Sequence, residues 1–268
     1  MKVSTEYFET LQRHIDIIAN NIANINTTAF KEGLLAIEET YDLRERSNTI
    51  AEYGGVMPGG DNVWAADRNM YLGRRVDFSQ GSLVETGITW DMAIQGKGFF
   101  QIRTPDGKLG YTRVGSFRPD GKGNLVNNEG MLLYPQINIP ANATEISINS
   151  DGTILGFLLD ERETNPSDGE QELIELGQIR LYDFNNPDGL EQIGQNIYLP
   201  TAASGEAVAG IPGENGYGEI KAGMLEKSNT DLVRAIANLI EAQRAYQFDL
   251  RIIKTQDEML QQAIMMRG

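Results

Sequence analysis

The stretch that decides the fold is residues 229–268, NTDLVRAIANLIEAQRAYQFDLRIIKTQDEMLQQAIMMRG. Alternate steps of four and three residues along it carry mostly apolar side chains, the heptad pattern of a helix packed along another helix. Neither proline nor glycine interrupts the pattern before Gly268, so it predicts one long helix, capped by Asn229 or Thr230. The heptad positions are Leu232, Ile236, Leu239, Gln243, Tyr246, Leu250, Ile253, Asp257, Leu260 and Ile264.

A second apolar stripe widens the surface of this helix beyond one heptad line. A helix that is apolar on more than one side is usually buried among several others. A large apolar side chain contributes about 1.5–3 kcal/mol only once it is covered, so the predicted helix needs partners. The second stripe consists of Val233, Ile240, Phe248, Ile252 and Met259.

The first 33 residues carry another heptad pattern, at the opposite end of the chain. It predicts a helix that ends at Asn26-Thr27-Thr28. Two alanines four residues apart allow another backbone to approach closely, and three asparagines predict hydrogen bonds that fix the packing register. With the apolar heptad positions of 229–268, the predicted assembly interface includes Phe8, Leu11, Ile15, Ile18, Ala19, Asn20, Asn21, Ile22, Ala23, Asn24 and Ile25.

Glycine and proline divide the chain into helical ends and a turn-rich middle. All nine prolines, and all 29 glycines except Gly268, lie between residues 33 and 223. The predicted fold class is α+β, with the terminal helices paired as a coiled-coil-like bundle around an all-β, antiparallel central domain. The predicted domains are an N-terminal assembly helix at 1–33, an extended connector at 34–75, a β-rich outer domain at 76–228 and a C-terminal assembly helix at 229–268.

Turn motifs place the hairpins of the central domain. Pro105-Asp106-Gly107 separates two apolar stretches and predicts a tight hairpin, with proline preset for the turn and glycine at positive φ. Pro119-Asp120-Gly121 repeats the motif. The acidic residues between 160 and 175 predict a solvated surface loop.

Composition excludes several classes of function. The chain has no cysteine and one histidine, His14, which leaves neither a Cys–His pair nor a zinc ligand set, so no catalytic, cofactor-binding or metal residue is predicted. The net charge of −15 falls almost wholly on the middle of the chain and argues against a nucleic-acid partner. No apolar run is long enough to cross a bilayer, so no membrane insertion is predicted, and no cleavable signal peptide is recognisable.

Two motifs, one near each end, resemble the signatures of bacterial flagellar rod and hook proteins. Residues 15–33, IDIIANNIANINTTAFKEG, are similar to the ANNxANxxTxxFK signature at the start of that family. Residues 228–261 are similar to its terminal motif, in which SN(V/T) opens a helix that carries QRAY. The connector and the block around Pro140 resemble the distal-rod members most.

The resemblance implies a structural subunit of the flagellar distal rod rather than an enzyme. It implies polymerisation through the terminal helices into a tubular drive shaft that transmits torque to the hook. The implied partners are further copies, proximal-rod proteins, the hook protein and the surrounding P and L ring proteins. It also implies a place in the periplasm-spanning rod of the basal body and export through the flagellar type III apparatus.

Two other readings remain open from the sequence. The first is a proximal-rod or hook subunit of the same family. The second is a secreted β-rich binding protein or carbohydrate-active enzyme with helical oligomerisation ends, which would form a small oligomer of fixed size and carry a ligand cleft.

Overall fold

The computed structural model describes residues 2–41, 68–158 and 173–266. Most of the predicted connector at 34–75 and most of the acidic segment at 160–175 therefore lie outside the described residues. The same holds for the side chain of Leu260, a predicted assembly residue.

Two α-helices, one short 3-10 helix (Pro187–Gly189) and eighteen strands lie in the described part of the chain. The α-helices are α1 (Lys2–Ala23) and α2 (Leu232–Met265). The strands are β1 (Gly33–Tyr41), β2 (Arg68–Val76), β3 (Leu83–Glu85), β4 (Met92–Gln95), β5 (Phe100–Arg103), β6 (Leu109–Thr112), β7 (Phe117–Pro119), β8 (Leu125–Asn127), β9 (Leu132–Tyr134), β10 (Ala143–Ile148), β11 (Thr153–Leu158), β12 (Leu173–Gln178), β13 (Leu181–Asp183), β14 (Glu191–Gly194), β15 (Ile197–Leu199), β16 (Val208–Gly210), β17 (Glu219–Ala222) and β18 (Met224–Glu226).

The chain divides into two compact units. The first unit contains Met1–Asn20, Gly33–Arg75 and Ile236–Gly268, and the second contains Asn21–Glu32 and Val76–Ala235. Both units therefore combine segments from the two ends of the chain. This follows because α1 and α2 each cross from one unit into the other within a few residues of the helix end.

The second unit is built around a seven-stranded sheet with the strand order β14-β15-β6-β5-β9-β8-β7. Each described pairing in this sheet is antiparallel. Alternate side chains of the central strands point into one apolar core, where Phe100, Ile102 and Phe117 are fully buried. A second cluster of mainly aromatic side chains packs around Phe99 and Tyr198.

Smaller sheets complete the second unit. β10, β11 and β12 form a three-stranded antiparallel sheet, while β13 pairs with β16 and β4 pairs with β17. β3 pairs with β18 in a two-stranded ribbon that leads directly towards α2. This ribbon fixes the point at which the carboxyl-terminal helix leaves the β domain.

The turn predictions are confirmed in one hairpin and corrected in the other. Gly107 has a φ of +79° between β5 and β6, as the Pro-Asp-Gly motif predicts. Between β7 and β8 the positive φ falls on Gly123 instead of Gly121. The carboxylate of Asp120 accepts hydrogen bonds from the backbone N–H of Lys122 and of Asn124, which moves the left-handed position two residues on. The same bonds lower the pKa of Asp120.

The first unit contains most of α1 and α2, and also β1 and β2. The rings of Phe8 and Tyr246 lie 4.6 Å apart with an interplanar angle of 32°, a direct contact between the two helices. β1 and β2 pair with each other, so both ends of the predicted connector form strands. Neither strand showed a sustained period of two in the sequence.

The end of α1 and the cap at the start of α2 differ from the sequence prediction. α1 ends at Ala23, before the predicted end at residues 26–28, because a series of turns begins at Asn24. At α2 the cap is Asp231 rather than Asn229 or Thr230. Its carboxylate accepts hydrogen bonds from the backbone N–H groups of Val233 and Arg234, at 2.9 and 3.2 Å.

The predicted α+β class with a mostly antiparallel β centre and a helix at each end is confirmed. Of the two helices described, neither combines the length and the apolar character needed to cross a membrane.

Candidate functional site

The residues that follow α1 dock on the residues that precede α2. This contact lies within the second unit, and we call it the junction: residues 29–32, residues 77–82, Arg113 and residues 224–230. Its backbone is tied directly, since the N–H of Ala29 donates to the carbonyl of Glu226 at 2.8 Å and the N–H of Asn229 donates to the carbonyl of Phe30 at 3.3 Å. Phe30 is buried beside these bonds.

A buried ion pair lies at the centre of the junction. The Nζ of Lys31 donates to Oε1 of Glu226 at 2.6 Å, and both side chains are fully shielded from solvent. The same ammonium also donates to the backbone carbonyl of Ser79 at 2.7 Å. Two charges shielded in this way have lost their water, so each depends on the other and on the surrounding hydrogen bonds.

Arg113 completes the network from the central sheet. Its Nε donates to the second carboxylate oxygen of Glu226 at 3.0 Å, and its side chain is only 5% exposed. The remaining guanidinium N–H groups donate to the backbone carbonyls of Ile94, Gly96 and Gly98. One carboxylate is therefore held between two buried cations.

Burial has the largest effect on the pKa of the Lys31 side chain. Loss of water lowers its pKa, the Glu226 carboxylate opposes this effect, and the positive charge of Arg113 lowers the pKa further. The attraction of Asp77 is the weakest of these contributions. Burial of the Lys31 charge is unfavourable, and the ion pair with Glu226 offsets this cost.

Asn229 holds three segments together with its amide group. Its Oδ1 accepts the backbone N–H of Glu32 at 2.7 Å, and its Nδ2 donates to the backbone carbonyl of Asp77 at 2.9 Å and to Ser79. The asparagine that the sequence offered as a helix cap is therefore used as a clamp. Asp231 takes the cap because it directly precedes the first residue of α2, next to the free N–H groups.

Close approach of two backbones also shapes the junction. A Cβ added at Gly81 would lie 2.0 Å from the carbonyl oxygen of Lys227, so only glycine fits there. The N–H of Gly81 in turn donates to Oε1 of Glu226 at 2.8 Å. At the rim, Arg234 forms an ion pair with Glu32 at 3.1 Å.

The predicted assembly residues of α1 lie in varied surroundings. Leu11, Ile18 and Asn21 are buried, and Phe8, Ile15, Ile22, Asn24 and Ile25 are half-buried, whereas Ala19, Asn20 and Ala23 are exposed. The structure places Asn24 and Ile25 in the turns after α1 rather than in the helix. Oδ1 of Asn20 accepts from Arg74 at 3.4 Å and Oδ1 of Asn24 accepts from Thr27 at 3.1 Å, so both side chains bond within the chain.

The predicted assembly residues of α2 are mostly uncovered. Leu232, Ile236, Leu250 and Ile264 are exposed, and Leu239, Tyr246 and Ile253 are half-buried. The structure thus brings Phe8 and Tyr246 into contact. The four exposed heptad residues of α2 remain accessible to solvent.

Lys31, Arg113 and Glu226 were not among the predicted site residues, although Lys31 lies inside the first signature and Glu226 lies two residues before the second. The positions of Lys31 and Glu226 in or beside the two signatures could have predicted a contact between them. Arg113 carried no such signal, because only the fold brings it to Glu226. Within the residues that the structure describes, three or more potential metal ligands are nowhere grouped together.

The cap of α2 offers a direct test of local stability. Asp231→Ala is expected to destabilise the start of α2 by about 0.5–2 kcal/mol, since two backbone N–H groups lose their acceptor. The measurement is thermal loss of helical circular dichroism. Asp231→Asn retains an accepting oxygen and serves as the control; equal melting of the two variants would show that the cap contributes nothing.

Three family models match separate parts of the chain. Residues 9–31 match the flagella basal body rod protein model, and residues 93–156 match the model of the flagellar hook protein FlgE/F/G D1 domain. Residues 221–266 match the model of the flagellar basal body rod FlgEFG protein C-terminal region. The first and third matches include Lys31 and Glu226 of the junction.

Full-length relatives agree with these matches. The chain is 37% identical over 260 residues to the flagellar basal-body rod protein FlgG of Buchnera aphidicola subsp. Acyrthosiphon pisum, with 97% of this chain and 96% of the relative covered. It is 38% identical to FlgG of Caulobacter vibrioides, over 96% of this chain and 95% of the relative. FlgF of the same organism is 30% identical, over 95% and 92%.

A β domain joined to two helices, with rod-protein signatures at both ends, defines a structural protein and not an enzyme. The chain belongs to the family of flagellar basal-body rod proteins. It is a structural subunit of the basal body of the bacterial flagellum and assembles into the rod with other flagellar components.

Proposed function

We propose that the chain is a subunit of the distal rod and polymerises through its terminal helices into a tubular shaft that transmits torque to the hook. The observation that carries this proposal is the apolar surface of α2, which remains uncovered on the side that the chain itself does not use. In this proposal the two terminal segments serve as assembly helices, residues 34–75 as the connector and residues 76–228 as the outer domain.

The two sides of α2 differ sharply in exposure. Ala235 and Ala242 are 2% and 5% exposed and mark the side covered by the chain itself. Val233, Phe248 and Met259 are 79%, 64% and 62% exposed. At about 100° of rotation per residue, these three positions fall on the side of the helix away from the two alanines. Val233, Phe248 and Met259 of the second apolar stripe are therefore largely uncovered by the described part of the chain.

An uncovered apolar stripe on a 34-residue helix favours association with further copies. A contact between unlike surfaces of identical subunits extends into a helical filament when the rotation between successive copies does not close into a ring. In the filament we propose, the stripes of α2 contact neighbouring copies and the acidic β domain faces outwards. The apolar assembly residues of α1 and α2 then divide between contacts inside one chain and contacts between chains.

Pairing of α1 with α2 as a coiled-coil-like bundle is part of the proposal. The ring contact of Phe8 with Tyr246 supports it, because both residues occupy predicted heptad positions. Burial of Leu11 and Ile18, two further heptad positions of α1, agrees with the same pairing.

The position along the rod is supported by the relatives. Identity is 37–38% to the FlgG proteins of Buchnera and Caulobacter and 30% to the FlgF protein of Caulobacter. A proximal-rod or hook position is the second candidate, and the match of residues 93–156 to a hook-protein domain model is the observation in its favour. We propose contacts with further copies, proximal-rod proteins, the hook protein and the P and L ring proteins, and export through the flagellar type III apparatus.

Location within isolated basal bodies tests the position. An epitope inserted at the exposed Gly121 turn leaves the helices unchanged. Gold-labelled antibody is expected along the part of the rod next to the hook, after the surrounding rings have been removed. Label confined to the membrane-proximal end of the rod, or to the hook, would refute the distal assignment.

A further inference from the structure

The junction takes its charged groups from three distant parts of the chain. Lys31 follows α1, Arg113 belongs to the central sheet region, and Glu226 ends the last strand before α2. Lys31 and Glu226 are 195 residues apart in sequence, and Arg113 and Glu226 are 113 apart. The ion-pair network therefore forms only when all three segments are in place.

Glu226 is the group on which the other two depend. Without its carboxylate, the hydrogen bonds that remain to the Lys31 ammonium and the Arg113 guanidinium end on neutral backbone carbonyls. Two cations would then be buried in the same place without the carboxylate that pairs with both of them. Burial of a charge that has lost its partner is strongly unfavourable.

The backbone ties make the dependence mutual. Residues 29–32 hold residues 226–229 through the N–H of Ala29, the N–H of Glu32 and the carbonyl of Phe30. Each of these bonds needs both segments in place, so residues 29–32 lose them when residues 226–229 move away. Residues 224–226 also have their own pairing with β3.

We infer that Glu226 makes docking of the two chain ends a single cooperative event. Residues 29–32 settle on the β domain only together with residues 228–230, and release of one segment releases the other, while β18 stays paired with β3. This inference does not rest on the proposed place in the distal rod.

A consequence concerns the order of folding. A chain that emerges with its amino terminus first presents Lys31 long before Glu226, because 195 residues separate them. The β domain can form its sheet meanwhile, but the base of α1 stays undocked until the chain is almost complete.

Amide hydrogen exchange on the full-length chain tests the inference. Glu226→Gln keeps the shape of the side chain and removes its charge. We expect exchange at Ala29, Glu32 and Asn229 to accelerate together by about 150- to 5,000-fold, the range that loss of one partner of a buried ion pair implies.

Glu219→Gln is the matched control. Glu219 lies in the adjoining strand β17 and pairs with Lys221, but its side chain is 52% exposed. This substitution is expected to leave both ends protected. Acceleration at Asn229 alone in the Glu226→Gln chain, or no acceleration at all, would overturn the inference.

Phe30→Ala gives an independent test that keeps every charge of the junction, and it decides the matter if Glu226→Gln fails to fold. Phe30 is 4% exposed, so its truncation weakens docking of residues 29–32 only. Coupled docking requires Asn229 to exchange faster in parallel with Ala29. Faster exchange at Ala29 with Asn229 as slow as in the natural chain would show that the ends dock separately.

Discussion

Val233→Asp is expected to abolish rod assembly while leaving the isolated chain folded. Val233 is 79% exposed, so the new carboxylate meets water in a single molecule. It also lies in the first turn of α2, where a negative charge is favourable to the helix. In a contact between copies the same carboxylate would be buried without a partner, at a cost of several kcal/mol.

The measurement is complementation of a strain that lacks its own copy of this gene, by swimming and by recovery of the chain in isolated basal bodies. Swimming is expected to fall below detection and the chain to be absent from basal bodies. Circular dichroism of the purified variant is expected to match that of the natural chain.

Val208→Asp provides the matched control. Val208 lies on β16 of the outer domain and is 60% exposed, so the same chemical change is made on a surface outside the proposed contact. This variant is expected to swim normally. Normal assembly with Val233→Asp would mean that the second apolar stripe of α2 does not contact other copies.

Arg113→Met is expected to give the largest loss of stability in the β domain, about 3–5 kcal/mol in the free energy of unfolding. The substitution leaves one oxygen of Glu226 without its buried donor and leaves the carbonyls of Gly96 and Gly98 without a guanidinium partner. Methionine fills much of the volume, so the loss is not the result of a large cavity.

Urea unfolding followed by tryptophan fluorescence measures this effect, because Trp90 packs against the main apolar core. Lys221→Met is the control, since it also removes a cation from an ion pair, but from one that is 36% and 52% exposed. We expect a change of at most about 1 kcal/mol there. Similar free energies for the two variants would contradict a central role for the buried network.

The helical ends were accessible to prediction because their signal is local. A heptad pattern over residues 232–264 depends only on neighbouring side chains along one helix, and it identified α2 without any knowledge of the fold. The hairpin at Gly107 was equally accessible, since proline and glycine determine a turn by their own backbone preferences.

Local signals failed where another part of the chain decides the outcome. Asn229 has the side chain of a good helix cap, yet it is drawn into the junction by the backbone of Glu32 and Asp77, and Asp231 caps the helix instead. β1 and β2 have no clear strand period, and they become strands because each pairs with the other.

The sequence by itself determined the family, the helical ends, the turn-rich antiparallel centre and the apolar heptad pattern of α2. These features follow from short-range periodicity and from the conformational preferences of glycine and proline. Only the tertiary structure decided which side of α2 stays uncovered and how Lys31, Arg113 and Glu226 meet. A contact between groups 113 and 195 residues apart leaves no periodic trace in the sequence, because it depends on the path of the whole chain between them.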